Sequence, residues 1–427
     1  IRNGPARFEA NGTSLRHWFD GMAMLHRFTF GGGRVSYANR FLRTKAFEAT
    51  EEGQIGYREF ATDPCRELFK RVASVFDQRI TDNTVVNVVR SGEEFMALTE
   101  TPMPVIFDPR TLATLGYAER APGHMSTAHP HFDPESGELV NFAIQLGPRN
   151  TYKLYRREPG GERPRPFATV PAKAARYLHS FALTQRFAVL ALGPFELNPL
   201  GLALGSKPLI DNYKWRPEKG GELVAVDRRS GEVAARWDIE PFFVLHNINA
   251  FDDGDDVVVD LCAFEDASIV RELMLERMRG TDTLPLAHPR RYRAPLGGGE
   301  VTVEQLAGEE LELPRIHPKL NTRPYSIAWG ISRVGEGAFN AIGRLDLERR
   351  EVERWHEPDR YPGEPVFVPR PGGTAEDDGV LLSLVLDAAE ETSFLLALDA
   401  ATLDELARAR LTHHVPFGFH GHFFGDV

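Results

Sequence analysis

Apolar residues along this chain come in short runs, separated by Gly, Pro, Asp and Asn. The runs VVNVV from Val85, RFAVLAL from Arg186, VVVDLC from Val257 and GVLLSLVL from Gly379 are strand-like in length and rich in β-branched or aliphatic side chains. A second pattern overlies them. An apolar residue, an Asp, a short polar turn and the start of another strand recur at Phe107-Asp108, Phe132-Asp133, Val226-Asp227, Leu345-Asp346 and Leu398-Asp399. The Asp side chain accepts backbone N–H groups to open such a turn, and Gly supplies a left-handed position. Hairpins of this kind occur in many β proteins, but repeated over a whole chain they suit antiparallel sheets arranged radially. The pattern predicts an all-β fold, with a β-propeller as the architecture that uses the repeat.

Two stretches break the β pattern. Asp63 to Phe76 opens with an N-cap Asp followed by Pro64, and Asp266 to Gly280 closes on Gly, so both predict helices. They read as insertions that cover a sheet scaffold. No linker or low-complexity segment divides the chain, and residues 1–427 are expected to form one domain.

Composition narrows the function classes. Hydrophobic residues make up 42%, enough for a sizeable core, and the formal net charge is −11. With no Lys/Arg run, such a chain is a poor match for a phosphate backbone, and no nucleic-acid partner is expected. Cys65 and Cys262 are the two cysteines, too few for a disulfide framework, and no CxxC zinc pair exists. No apolar run approaches the roughly 20 residues that span a bilayer. The sequence starts at Ile1 inside what reads as folded chain, so a preceding segment is expected to be missing and targeting stays open. Gly31–Gly33 and Gly297–Gly299 read as turn glycines, not phosphate loops.

The chemistry-bearing candidates are histidines. His129, His179, His246 and His420 each lie among apolar or small residues. One histidine in such a setting is ordinarily a hydrogen-bonded core residue, and residue type alone does not make it a ligand. The surrounding motifs carry more. HWFDGMAMLHRF from His17, TDN from Thr81, LHSF from Leu178, NAF from Asn249, VDLC from Val259, LELPR from Leu311, GEPVFVP from Gly363, EDDG from Glu376 and VPFGFHG from Val415 resemble, in order and over essentially the whole chain, the motifs of the carotenoid cleavage oxygenase family. DPC at Asp63, TDN, LHSF and VDLC lean toward its animal-type branch of carotene oxygenases and the retinoid isomerase of the eye.

The resemblance implies a seven-bladed propeller with a helical and loop cap over an iron-bearing face. It implies that His129, His179, His246 and His420 ligate Fe(II), leaving two of six positions for O2 and solvent. Glu100, Glu312 and Glu364 would hold the other ring N–H of the ligands, and Val86 would crowd one open position, although its alternative is a plain strand valine. His124, His131, His413, His414 and His422 are read as ordinary surface or supporting polar residues, and Glu376-Asp377-Asp378 as a turn with solvated charges.

The implied reaction is oxidative cleavage of a C=C bond of a carotenoid or apocarotenoid by O2, without nicotinamide or flavin. A β-carotene-like substrate cut centrally to retinal is the first reading. An apocarotenoid or stilbene dioxygenase, and a retinoid-ester isomerase, stay open beside it, as does a propeller binding module without chemistry. The substrate is insoluble, so the apolar, Gly/Pro-broken stretch 194–205 is expected to touch a membrane without spanning it, in a cytoplasmic protein attached peripherally.

Overall fold

The structure is a computed structural model and describes residues 1–63, 80–161, 163–203, 207–280 and 283–427. Seven antiparallel sheets carry the chain as a seven-bladed β-propeller. The first blade runs Asn87–Ser91, Glu94–Leu98, Val105–Phe107 and Thr114–Tyr117. In the second, Met125–Ser126 and His131–Phe132 both pair with Leu139–Gln145, followed by Asn150–Arg157 and Arg165–Ala172. Blades three, four and five open with Ala182–Leu183, Phe243–Asp253 and Glu312–Arg315. Blade six again has a split first strand, Arg360–Pro362 and Val366–Pro369, on Gly379–Asp387.

Blade seven closes the ring. Its strands Arg2–Arg7, Met22–Gly31 and Arg34–Phe41 come from the start of the chain. The segment around Gly421 then returns to pair antiparallel with Arg2. Asn3 N–H donates to the His420 carbonyl at 2.9 Å, and Phe419 N–H to the Asn3 carbonyl at 3.0 Å. Within a blade the inner strands are the more buried and the last is the most solvated, as Gly379–Asp387 and Thr392–Asp399 are against Glu405–Arg410. This is the burial gradient of radially packed sheets.

The predicted turn aspartates are all in place. Asp108, Asp133, Asp227, Asp346 and Asp399 each accept the backbone N–H groups two and three residues ahead through Oδ1. Four of the five join the third and fourth strands of a blade. The residue four after each Asp has positive φ, but it is Gly only at Gly137 and Gly231; Leu112, Arg350 and Leu403 fill the other three. The Asp hydrogen bonds hold the turn firmly enough that the left-handed position does not need glycine.

The helix expected over 266–280 is two short helices, α3 and α4, at Ser268–Glu272 and Leu275–Met278; α1 and α2 are Lys45–Glu51 and Pro199–Ala203. The break lies where residues 16–18 lie alongside: Trp18 N–H donates to the Leu273 carbonyl and Leu275 N–H to the Arg16 carbonyl, and His17 bridges Met274. Sheet-like pairing there replaces the helical bonds of the Leu273 carbonyl and the Leu275 N–H. The helix expected over 63–76 lies outside the described residues beyond Asp63, as does Cys65. Cys262 is a free, buried thiol.

Candidate metal centre

Three of the four histidines come from first strands or from the bends just before them. His129 sits between the two halves of the first strand of blade two, and His179 in the bend ahead of Ala182. His246 lies inside Phe243–Asp253 where the register slips between Val244 and Asn247. That bulge leaves the imidazole out of the regular alternation. His420 is on the closing segment.

One ligand-capable atom from each of the four lies within 4.8 Å of the other three. His129 Nε2 is 3.0 Å from His179 Nε2, and His246 Nε2 is 3.3 Å from His420 Nε2. Three rings are held from behind by the predicted carboxylates. Nδ1 of His179 bonds Glu100 Oε1 at 2.7 Å, Nδ1 of His246 bonds Glu312 Oε2 at 2.5 Å, and Nδ1 of His420 bonds Glu364 Oε1 at 2.7 Å. A carboxylate only accepts, so Nδ1 carries the hydrogen and the Nε2 lone pair faces the cluster. His129 has no such partner among the described residues; its backbone N–H donates to Thr127 Oγ1 at 3.1 Å.

Electrostatics favour the ligating form. Burial first, and then the neighbouring imidazoles, push His129 well below its ordinary value. Burial lowers His420 to about 3 against the pull of Glu364. Neutral imidazoles in a converging set suit a transition metal, so the donor chemistry fits a borderline cation such as ferrous iron. Burial alone would raise the Glu364 carboxyl, but Arg315 and His420 outweigh it and hold the group well below the usual carboxylate range.

Several supporting residues were not found from the sequence. Tyr177 OH donates to Glu100 Oε1 at 2.7 Å, so Glu100 serves both the tyrosine and His179. The signal was present, since residues i and i+2 share a face of extended chain. Arg315 Nε donates to Glu364 Oε1 at 2.9 Å and its Nη2 to the Gly421 carbonyl at 2.8 Å. Arg2 donates to the carbonyls of Glu364 and Phe419 at 3.1 and 2.7 Å.

Around the axis, side chains stitch each blade to the next. Asn87 Nδ2 donates to the Ala128 carbonyl at 2.8 Å, Thr127 Oγ1 to the His179 carbonyl, and Ser180 Oγ to the Leu245 carbonyl at 2.7 Å. The His246–Glu312, Arg315–Glu364 and Glu364–His420 pairs carry the seam through blades four to seven. Asn3 Nδ2 then donates to the Thr84 carbonyl at 2.6 Å, back at blade one.

An apolar cavity of about 540 Å³ opens beside His179 and Glu100. Phe19, Phe60, Val86, Met125, Leu146, Leu202 and Leu209 form much of its wall. Phe19 is fixed by its turn: its N–H donates to His17 Nδ1 at 3.0 Å, and the His17 N–H donates to Asp20 Oδ2 at 3.0 Å. Trp18, Phe19 and Phe419 pack together over the cluster, with centroids 4.4 Å apart for Trp18–Phe419 and 5.2 Å for Phe19–Phe419. Val86 lines the cavity, and its carbonyl accepts the His420 N–H at 3.2 Å. In the stretch expected to meet a membrane, Phe195 and Leu197 are buried and Leu202 is a cavity wall; residues 204–205 lie outside the described set. No helix among the described residues is long and apolar enough to cross a membrane.

The remaining histidines lie outside the four-histidine cluster, although His124 lines the cavity. His131 ties Asn321 to the Phe181 carbonyl, His124 accepts the Leu146 N–H, and His413 and His414 are exposed. The Glu376-Asp377-Asp378 turn is not merely solvated. Glu376 accepts the Ser326 and Ile327 N–H groups, Asp377 pairs with Arg344 at 2.7 Å, and Asp378 pairs with Arg370 at 2.5 Å. The Glu376 and Asp377 contacts moor blade six to blade five, and the Asp378 pair closes a turn within blade six.

Comparison with known proteins agrees with this architecture. The profile of the retinal pigment epithelial membrane protein family matches residues 1–425. A mitochondrial carotenoid-cleaving dioxygenase of Pongo abelii is 30% identical over 99% of this chain and 88% of its own. The β,β-carotene 15,15'-dioxygenase of Rattus norvegicus is 29% identical over 100% and 86%. Among solved structures, a variant of the Synechocystis apocarotenoid oxygenase superposes with a TM-score of 0.88 at 29% identity, covering 99% of this chain and 90% of that one. A cobalt-substituted form of the Synechocystis enzyme superposes with a TM-score of 0.87, also at 29% identity, covering 99% and 90%. With its seven blades, its four converging histidines and a family profile matched from end to end, this chain belongs to the retinal pigment epithelial membrane protein family, that of the carotenoid cleavage dioxygenases.

Proposed function

We propose that the chain, as one domain over residues 1–427, is an Fe(II)-dependent dioxygenase that places one atom of O2 on each carbon of a C=C bond in a carotenoid of the β-carotene skeleton. One double bond and one O2 are consumed and two carbonyl products leave, so no external reductant is required. The observation that carries this reading is the convergence of four imidazole lone pairs beside an apolar cavity.

His129, His179, His246 and His420 would hold the metal, which when bound supplies the electron exchange that lets O2 react with a closed-shell polyene. The protein's own part is positional. Glu100, Glu312 and Glu364 keep a hydrogen on each Nδ1, so three rings keep their orientation. Phe19, Phe60 and Val86 present apolar faces that exclude water and align a flat polyene beside the cluster. Peripheral contact with a lipid surface through residues 194–205 belongs to the same proposal, because α2 puts Leu202 on the cavity wall, where a polyene drawn from a leaflet would enter.

The test is to incubate iron-loaded protein with β-carotene, an apocarotenal and a hydroxystilbene under air, and to identify products by mass. Aldehydes whose lengths sum to the parent carotenoid are expected, and retinal from β-carotene would place the cut at the centre. Cleavage of the stilbene alone, or an isomerised product without oxygen incorporation, would replace this reading.

A further inference from the structure

One part of the cavity wall does not suit a bare hydrocarbon. Glu59 lines it and is only 4% exposed. Arg58 and Ile80 form a parallel bridge that sets Glu59 beside Thr81, whose hydroxyl donates to Glu59 Oε1 at 2.8 Å. Among the described residues no cation pairs with this carboxyl; Arg58 turns its Nε to Asp63 at 2.9 Å. Burial, and then the charges of Asp20 and Asp82, raise Glu59 well above the ordinary carboxylate value, which favours the protonated form that bears an O–H.

In that form the hydrogen has few acceptors among the described residues. Thr81 and Asn83 act as donors toward Glu59. Asp82 already accepts from the N–H groups of Lys45 and Ala46 and from Tyr117 OH. Asp20 accepts from the N–H groups of Arg16, His17 and Ala61 and from Thr62 OH. A buried donor left without an acceptor costs stability, and a few well-placed polar groups in an apolar pocket are how such pockets choose ligands.

We propose that Glu59 is a specificity-determining residue of this cavity, donating a hydrogen bond to an oxygen carried by the polyene, so that the preferred substrates are carotenoids bearing a hydroxyl or carbonyl group. This rests on the reading of the chain as a carotenoid-cleaving dioxygenase.

The experiment compares zeaxanthin with β-carotene, which differ only in their ring hydroxyls, in the iron-loaded parent, in Glu59→Leu and in Glu59→Gln. Glu59→Leu is expected to raise KM for zeaxanthin about tenfold relative to KM for β-carotene, the worth of roughly one net hydrogen bond, so that the ratio of the two kcat/KM values falls by the same factor. Glu59→Gln keeps a donor and is expected to stay within a few-fold of the parent. Equal losses on both substrates, or Gln behaving as Leu does, would make Glu59 a structural residue and end the proposal. Tryptophan quenching by the same two polyenes, run on metal-free protein, separates the two ideas. A zeaxanthin preference that Glu59→Leu abolishes, in a protein that cleaves neither compound, would uphold the anchor and overturn the function. Cleavage without any preference would do the reverse.

Discussion

At the scale of single residues, the centre depends on second contacts as much as on the histidines. Glu364 accepts from His420 Nδ1, from Arg315 and from the Gly421 N–H at 3.0 Å. Glu364→Gln keeps the volume but replaces an acceptor by a donor facing two other donors. Metal content measured after dialysis should fall, with affinity lower by about 10- to 100-fold, while far-ultraviolet circular dichroism stays that of the parent. Tyr177→Phe removes a donor to Glu100 but leaves His179 its carboxylate, so the metal should stay bound, with any change confined to turnover. The four clustered histidines and the glutamates behind three of them were legible because their motifs resemble a known family's, not because residue type marked them: one histidine in an apolar run looks like any core histidine. Tyr177 and Arg315 were not legible. Tyr177 reads as core and Arg315 as surface until the fold brings Glu100, 77 residues away in the chain, and Glu364, 49 residues away, against them.

Among elements, the turn aspartates show what local sequence determines. Each interaction spans two or three residues, so Asp227 and Asp346 announced their hairpins without help from the rest of the chain. The pair α3 and α4 shows the opposite case, since the strand-like neighbour that interrupts the helical pattern lies some 250 residues earlier. The seam between blades yields a prediction of its own. Thr127→Val keeps the shape but strips the hydroxyl from the His179 carbonyl and from the His129 N–H. It should cost about 1–3 kcal/mol in urea unfolding and release metal faster to a chelator. For the stretch 194–205, flotation with phosphatidylcholine vesicles should carry the parent upward, and changing Leu202 and Leu204 to Ser should leave it in the dense fraction. No flotation of the parent would remove the membrane contact.

For the whole molecule, stability should fall in acid in a way that buried histidines dictate. Burial lowers His26 to about 3 and His17 to about 4, whereas in the unfolded chain both titrate near 6.5. Below pH 6.5 the unfolded state therefore binds protons that the native state excludes. The stability lost is about 1.4 kcal/mol per pH unit for each group until its native value is reached. Asp20, raised by burial to about 6, works in the opposite direction below that pH. The clean measurement is thus a difference: urea midpoints of His26→Gln should depend on pH less steeply than those of the parent between pH 6 and 4, by one proton's worth. Closure of the ring offers a second measurement. Arg2→Met leaves the carbonyls of Glu364 and Phe419 without their donor, and should lower stability by about 3 kcal/mol and metal retention with it. That closure also sets an order of events during biosynthesis. His420 follows every other member of the cluster in the chain, on the very segment that locks onto the first strand. Until that segment has been made and has docked, the polypeptide would offer three imidazoles at most, so full capture of a cation would have to wait for it, and cation content would count closed rings in any preparation.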